Sequence, residues 1–148
     1  MNLGFYIHST SDTPLNKDIY NLLNDAVENE LVDDASLFFN DVDFNPNDKK
    51  FGTFNSTDLW SFSGTLVVTS LDCLPLASSV VNKIKLIYLY CQSEFRKGNT
   101  GHLMQILSMP ESIPIVAKSE QDKKEFFRLT KRDIPAITDF NAKEFLKV

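Results

Sequence analysis

Two near-continuous apolar runs, Gly64-Thr65-Leu66-Val67-Val68-Thr69-Ser70 and Ile84-Lys85-Leu86-Ile87-Tyr88-Leu89-Tyr90, constrain the fold more than any other feature of the sequence. A strand with one wet face alternates apolar and polar residues. A strand buried on both faces need not, and such strands belong to parallel sheets covered by helices. Between the two runs, Leu74, Leu76, Ala77, Val80 and Val81 recur at helical spacing, and Ser70 or Asp72 can cap that helix. Strand, helix and strand in this order make a βαβ unit.

The same alternation runs through the rest of the chain. Leu3-Gly4-Phe5-Tyr6-Ile7 reads as a first strand that stops at His8-Ser9-Thr10-Ser11-Asp12. Pro14 suits the first position of a helix, and Leu15, Ile19, Leu22, Leu23, Ala26 and Val27 mark one face of a helix from Leu15 to Leu31. After Asp33-Asp34, Ala35 to Phe39 reads as a second strand. Asp43 to Lys50, with Asn45-Pro46-Asn47-Asp48, is a loop by composition that can pass over the strand ends, and Ser56 to Trp60 is a single helical turn. Further on come a loop from Gln92 to Gly101, a short helix at Leu103 to Leu107, a strand at Ile113 to Ala117 and a helix from Glu120 to Leu129. Ile134 to Ile137 is expected as a last strand at a sheet edge, because Pro135 has no N–H to donate, and Ala142 to Val148 as a final helical turn or two. These elements select a three-layer α/β/α sandwich with a mainly parallel, Rossmann-like sheet. A chain of 148 residues is the size of one domain, expected to span residues 1–148 around one core.

Charge and motif content exclude several function classes. With Lys+Arg 15 against Asp+Glu 20 the net charge is −5, so nucleic acid is not the expected partner. The local basic stretch from Lys118 to Arg132 is interleaved with Glu120, Asp122 and Glu125, as on a solvated helix face. Cys73 and Cys91 lie in apolar surroundings without CxxC spacing and read as buried thiols of a reducing compartment. No stretch approaches the roughly 18 apolar residues of a membrane span and no leader pattern opens the chain, so a cytoplasmic location and no membrane partner are expected. GxGxxG and GxxxxGK[ST] are absent, and no His/Asp/Glu group has metal-ligand spacing, so neither a cofactor nor a metal is expected. A receiver domain would need paired acids after the first strand and an Asp after the third, where this chain has His8-Ser9 and Thr69-Ser70. Ser70 lacks a GxSxG elbow and Cys91 has no motif linking it to His102, so no activated nucleophile is indicated.

Ligands of open parallel sheets bind beyond the carboxyl ends of the strands, where the strand order reverses. That rule nominates His8, Ser9 and Thr10, then Asn40 and Asp41, then Thr69, Ser70 and Asp72, then Gln92, Ser93 and Glu94, and finally Lys118, Ser119 and Glu120. His8 could act as a base or touch a ligand, or simply hold its loop; Ser9 to Asp12 could offer N–H and hydroxyl groups to an anion at the helix start. The binding set is taken as His8, Ser9, Thr10, Ser70, Asp72, Glu94, Lys118 and Ser119.

Gly4 to Ser9, Trp60 through Asp72, Ile87 to Tyr90, and Ile115 to Glu120 leading to Thr138-Asp139-Phe140-Asn141 give an order of elements that resembles the N-terminal half of phage GT-B glycosyltransferase-like proteins. The resemblance covers most of the chain. It implies a Rossmann-like half that supports acceptor binding, with the nucleotide-sugar donor held by a second half that this sequence lacks. Where relatives carry an acidic or aromatic stretch after the fourth strand, this chain has Cys91-Gln92-Ser93-Glu94. Three roles follow from the resemblance: a degenerate binding domain whose partner is another protein, the acceptor subunit of a two-component transferase with a nucleotide sugar and a sugar acceptor as ligands, or a small phage protein acting on a host component in the host cytoplasm. An exposed patch of Phe51, Phe54, Trp60 and Phe62 would favour the binding domain, whereas a Trp beside a central strand is expected in the core.

Overall fold

The computed structural model describes residues 1–80, 83–94, 104, 108 and 110–148. Six described strands, β1 (Asn2–Ser9), β2 (Asp34–Asp41), β3 (Gly52–Asn55), β4 (Gly64–Val68), β5 (Ile84–Tyr90) and β6 (Ile115–Ala117), form one sheet in the order β3-β2-β1-β4-β5-β6, and every neighbouring pair is parallel. The chain is thus a parallel α/β protein with the strand order of a Rossmann sheet: β1, β2 and β3 are laid down in one direction, β4, β5 and β6 in the other, and the order reverses between β1 and β4.

Alternation along the strands sorts the core into separate clusters. Leu3, Phe5 and Ile7 of β1 join Leu37, Val67, Ile87, Leu89 and Val116 against α1 (Pro14–Glu28) and the C-terminal helix, here α4 (Ala142–Lys147), where Phe145 is fully buried edge-on to Phe5. The intervening residues go elsewhere: Tyr6, Phe38, Leu66 and Val68 pack with Leu59, Phe62 and α2 (Leu74–Ser79), while Tyr88, Tyr90, Ile115 and Ala117 pack with Phe126 of α3 (Glu120–Thr130).

Side-chain caps start three of the helices, whereas α2 follows Cys73 without one, the expected Ser70 cap serving the 3-10 turn Leu71–Cys73 instead. The Thr13 hydroxyl accepts from the Asn16 N–H with Pro14 at the first helical position; Ser119 caps α3 through the Asp122 N–H; Asn141 caps α4 through the Glu144 N–H. Gly64 opens β4 at φ 134°, and a Cβ there would lie 2.5 Å from the Asn2 carbonyl oxygen, so the close approach of β4 to β1 needs glycine.

The structure departs from expectation at several places. Gly52–Asn55, unassigned in the sequence, is the edge strand β3. The first helix ends at Glu28, short of Leu31, and β6 starts at Ile115, after Pro114. Ile134 to Ile137 is not a strand: only Ala136 bridges to Ala117, because β6 itself has just three residues to offer. Trp60 is not in the core. The 3-10 turn Ser56–Ser61 sends Leu59 fully inward and leaves Trp60 49% exposed. Phe54 is likewise exposed, whereas Phe51 is buried edge-on to Tyr20 and Phe62 edge-on to Phe38, so the four aromatics do not form one exposed patch. The expected helix at Leu103 to Leu107 and most of the Gln92 to Gly101 loop lie outside the described residues; Gln92–Glu94 form a 3-10 turn. Among the described residues no helix is long and apolar enough to cross a membrane.

Candidate functional site

All strands being parallel, every strand-end residue named from the sequence falls at the same end of the sheet, and the topology decides which meet. Register pairs Ile7 with Phe39 and Ser9 with Asp41, so His8 lies level with Asn40. By the two-residue period, His8 shares a face with Tyr6, and Asn40 with Phe38. The Tyr6 hydroxyl donates to Asn40 Oδ1 at 2.6 Å, which fixes the amide so that its NH2 faces His8 Nδ1 at 3.4 Å and Cys73 Sγ at 3.8 Å. On the other side of the ring, Nε2 lies 3.4 Å from Asp41 Oδ2. The His8 side chain is 43% exposed and Asp41 lies on the surface.

Beneath this rim the groups are buried and neutral. Burial, then the neighbouring Cys73, pushes the Tyr6 hydroxyl from its ordinary 10.0 up to about 12; burial raises the Cys73 thiol from 9.0 to about 12, the Tyr6 hydrogen bond working against that rise and Asp72 adding to it. Cys73 is therefore a thiol rather than a thiolate, and the His8 contacts run to Asn40 and Asp41. No proton relay to a nucleophile is assembled by these contacts. They assemble hydrogen-bond donors and acceptors that end on the exposed Asp41 carboxylate.

The other candidates are distributed differently. Thr10 is 7% exposed and fully engaged: its hydroxyl donates to the Asp43 carbonyl and accepts from the Asp43 N–H, and its own carbonyl accepts from Asn45 Nδ2. The Ser9 hydroxyl accepts from the Ser11 N–H, and the Asn16 amide donates to the carbonyls of Ser9 and Ser11. Ser70 caps the 3-10 turn Leu71–Cys73 through the Asp72 N–H, which brings Cys73 under Asn40. Lys118 and Ser119 follow β6, three strands from β1; Lys118 pairs with Asp18 of α1 at 2.6 Å, and Ser119 is hydrogen-bonded to Asp122, whose carboxylate also accepts the Gln92 N–H. The Glu94 side chain lies outside the described residues. The structure thus unites His8, Asn40 and Asp41 and adds Tyr6 and Cys73, which in the sequence read as core. Tyr6 could have been found by parity, since it stands two residues before His8 on the same strand face.

Around the ends of β1, β2 and β4 the charges are acidic, Lys118 at the end of β6 being paired with Asp18. The segments His8 to Thr13, Asn40 to Asp48 and Thr69 to Cys73 contain Asp12, Asp41, Asp43, Asp48 and Asp72 but no Lys or Arg. No protein-family model, curated protein or solved structure matches the chain.

Proposed function

We propose that the chain is a small, non-catalytic binding domain of GT-B-like type that takes an uncharged, hydroxyl-rich ligand at the carboxyl ends of β1 and β2. The observation that carries this reading is the Tyr6–Asn40–His8–Asp41 array on the ends of β1 and β2, one strand pair from the β1/β4 reversal: a buried neutral end, a partly exposed imidazole and an exposed carboxylate. Amide, imidazole and carboxylate together donate to and accept from hydroxyl groups. The surrounding carboxylates, with no cation in the same segments, disfavour a phosphate-bearing ligand. A sugar acceptor fits these groups better than a nucleotide-sugar donor.

The same charge pattern favours one second reading, the acceptor-binding subunit of a two-component glycosyltransferase, because in such an arrangement the anionic donor is carried by a different protein. Isothermal titration and thermal shift against neutral oligosaccharides and against nucleotide sugars test both, since a ligand that binds the folded state raises its melting temperature. Saturable binding of neutral saccharides, lost in His8→Ala, supports the binding domain. Binding of a nucleotide sugar by the isolated chain would overturn it, and transfer only when a donor-binding protein is added would select the second reading.

A further inference from the structure

β3 closes one side of the sheet, and its outer edge is bare. The strand pairs with β2, Gly52 to Asn55 against Ser36 to Phe39. Successive residues of a strand turn their N–H and C=O groups to opposite sides, so half of β3 directs these groups at β2 and half directs them outward. Thr53, Phe54 and Asn55 are exposed, and among the described residues no element besides β2 hydrogen-bonds the backbone of Gly52, Thr53 or Phe54. Proteins blunt such edges with a charge, a proline or a bulge within the strand. Gly52-Thr53-Phe54-Asn55 has no charge and no proline, and its register with β2 is unbroken.

The edge carries apolar surface as well. Phe54 is 41% exposed. Its ring lies back along the strand, since a Cβ on Gly52 would come within 2.7 Å of Phe54 Cε2, and it rests on the Phe38 ring with centroids 5.7 Å apart. The charges at the two ends of β3 then select the occupant. At its start the Asn24 side chain holds the Asp48 carbonyl and the Lys50 N–H, Lys50 is paired with Glu28, and Lys49 between them is exposed without a described partner. Asp48 lies one residue further from the strand. At its finish Asn55 caps the 3-10 turn Ser56–Ser61 through the Thr57 N–H, and in that turn Asp58 is exposed, its carboxylate without a described partner.

We propose that β3 is the contact edge of a symmetric homodimer, in which two copies of the chain join their sheets antiparallel through β3. A two-fold axis normal to the sheet beside β3 brings the Lys49 end of each copy to the Asp58 end of the other, whereas a parallel partner would set like charges together. The same axis keeps both Phe54 side chains on one face of the joined sheet, where each adds apolar cover to the other. Four residues make roughly 13 Å of strand, short of a standard interface, so the dimer is weak and depends on concentration. This inference does not rest on the ligand read at the carboxyl ends of β1 and β2.

Sedimentation velocity of the full chain from about 5 to 500 µM should show monomer giving way to dimer, with a Kd on the order of 100 µM. Phe54→Lys puts a charge beside its own copy on the edge and should weaken the dimer about tenfold. Lys49→Glu and Asp58→Lys each set like charges together at both ends of the joint and should weaken it about two- to fivefold at low salt. The double variant exchanges the signs and should associate like wild type; because both side chains are exposed, it tests the pairing without disturbing the core. Phe127→Ala, an exposed ring on α3, should change nothing. A chain that stays monomeric throughout would leave the edge to a strand of another protein and overturn the proposal. So would a dimer that survives Phe54→Lys, or a double variant that associates no better than the single ones.

Discussion

His8 and Thr10 stand two residues apart at the end of the same strand, and their surroundings differ in kind. Thr10 is buried, and its partners are the Asp43 backbone and the partly buried Asn45 amide at 2.7 to 3.0 Å. Beside it the buried Asn16 amide holds the Ser9 and Ser11 carbonyls; together they lock the start of the β2–β3 loop and the entry to α1. Around His8 the contacts are longer, at 3.4 Å on both ring nitrogens, and the side chain is partly open. A buried, fully satisfied cluster stabilises and specifies; a half-open one with loose contacts keeps hydrogen-bonding capacity for something else. The distinction separates two residues that a strand-end rule treats alike.

The contrast is broken most severely on the closed side. Asn16→Leu deletes two donors and leaves the Ser9 and Ser11 carbonyls without them at a buried position, with an expected loss of about 2–3 kcal/mol in urea unfolding. Thr10→Val keeps the shape, removes both bonds to Asp43, and should cost about 2 kcal/mol. If either variant unfolds at the wild-type urea midpoint, the clamp around Thr10 is not what fixes this end of the sheet.

A second effect comes from the buried floor under His8. Unfolded, Cys73 gives up its proton near its ordinary value of 9.0; folded, it holds it to about 12. Between those values the unfolded chain binds fewer protons than the folded one, so stability falls as pH rises, the contribution being complete below about pH 9 and lost on passing the folded value. Tyr6, raised from 10.0 to about 12, adds to the fall from a higher starting pH. Urea midpoints measured from pH 8 upward should therefore decline above about pH 9, and in Cys73→Ala the decline should begin about one pH unit later. An identical alkaline limb in the variant would mean that Cys73 is reached by hydroxide in the folded state.

How far the sequence showed this arrangement depends on what stabilises each part. The βαβ unit around β4 and β5 was legible because burial on both faces writes itself into the residues; Ile84–Tyr90 has the bounds read from the sequence. The edge strand β3 was not, because three of its four residues are exposed and what makes it a strand is pairing with Ser36 to Phe39 of β2. Trp60 misled for a related reason: nearness in sequence to a central strand says nothing about which side of a 3-10 turn faces inward. Of the site, His8, Asn40 and Asp41 follow from the rule that parallel sheets present their functional groups at the carboxyl ends. Tyr6 and Cys73 do not, since each sits in an apolar run, and only the fold brings the Leu71–Cys73 turn beneath Asn40.

The smallest expected effect is the one that most sharpens the comparison. His8→Ala removes a partly exposed ring whose described polar contacts, to Asn40 and Asp41, are long, and whose neighbours Tyr6 and Asn40 keep their own 2.6 Å bond. Its cost in urea unfolding should stay within about 0.5 kcal/mol, as for surface changes that touch no buried network. A loss near that of Thr10→Val would place His8 in the same structural class as Thr10 and remove the reason to read the open side of β1 as a site. A silent substitution in stability combined with lost saccharide binding would separate the two roles, because a residue that only props the fold cannot lose a ligand without losing stability as well.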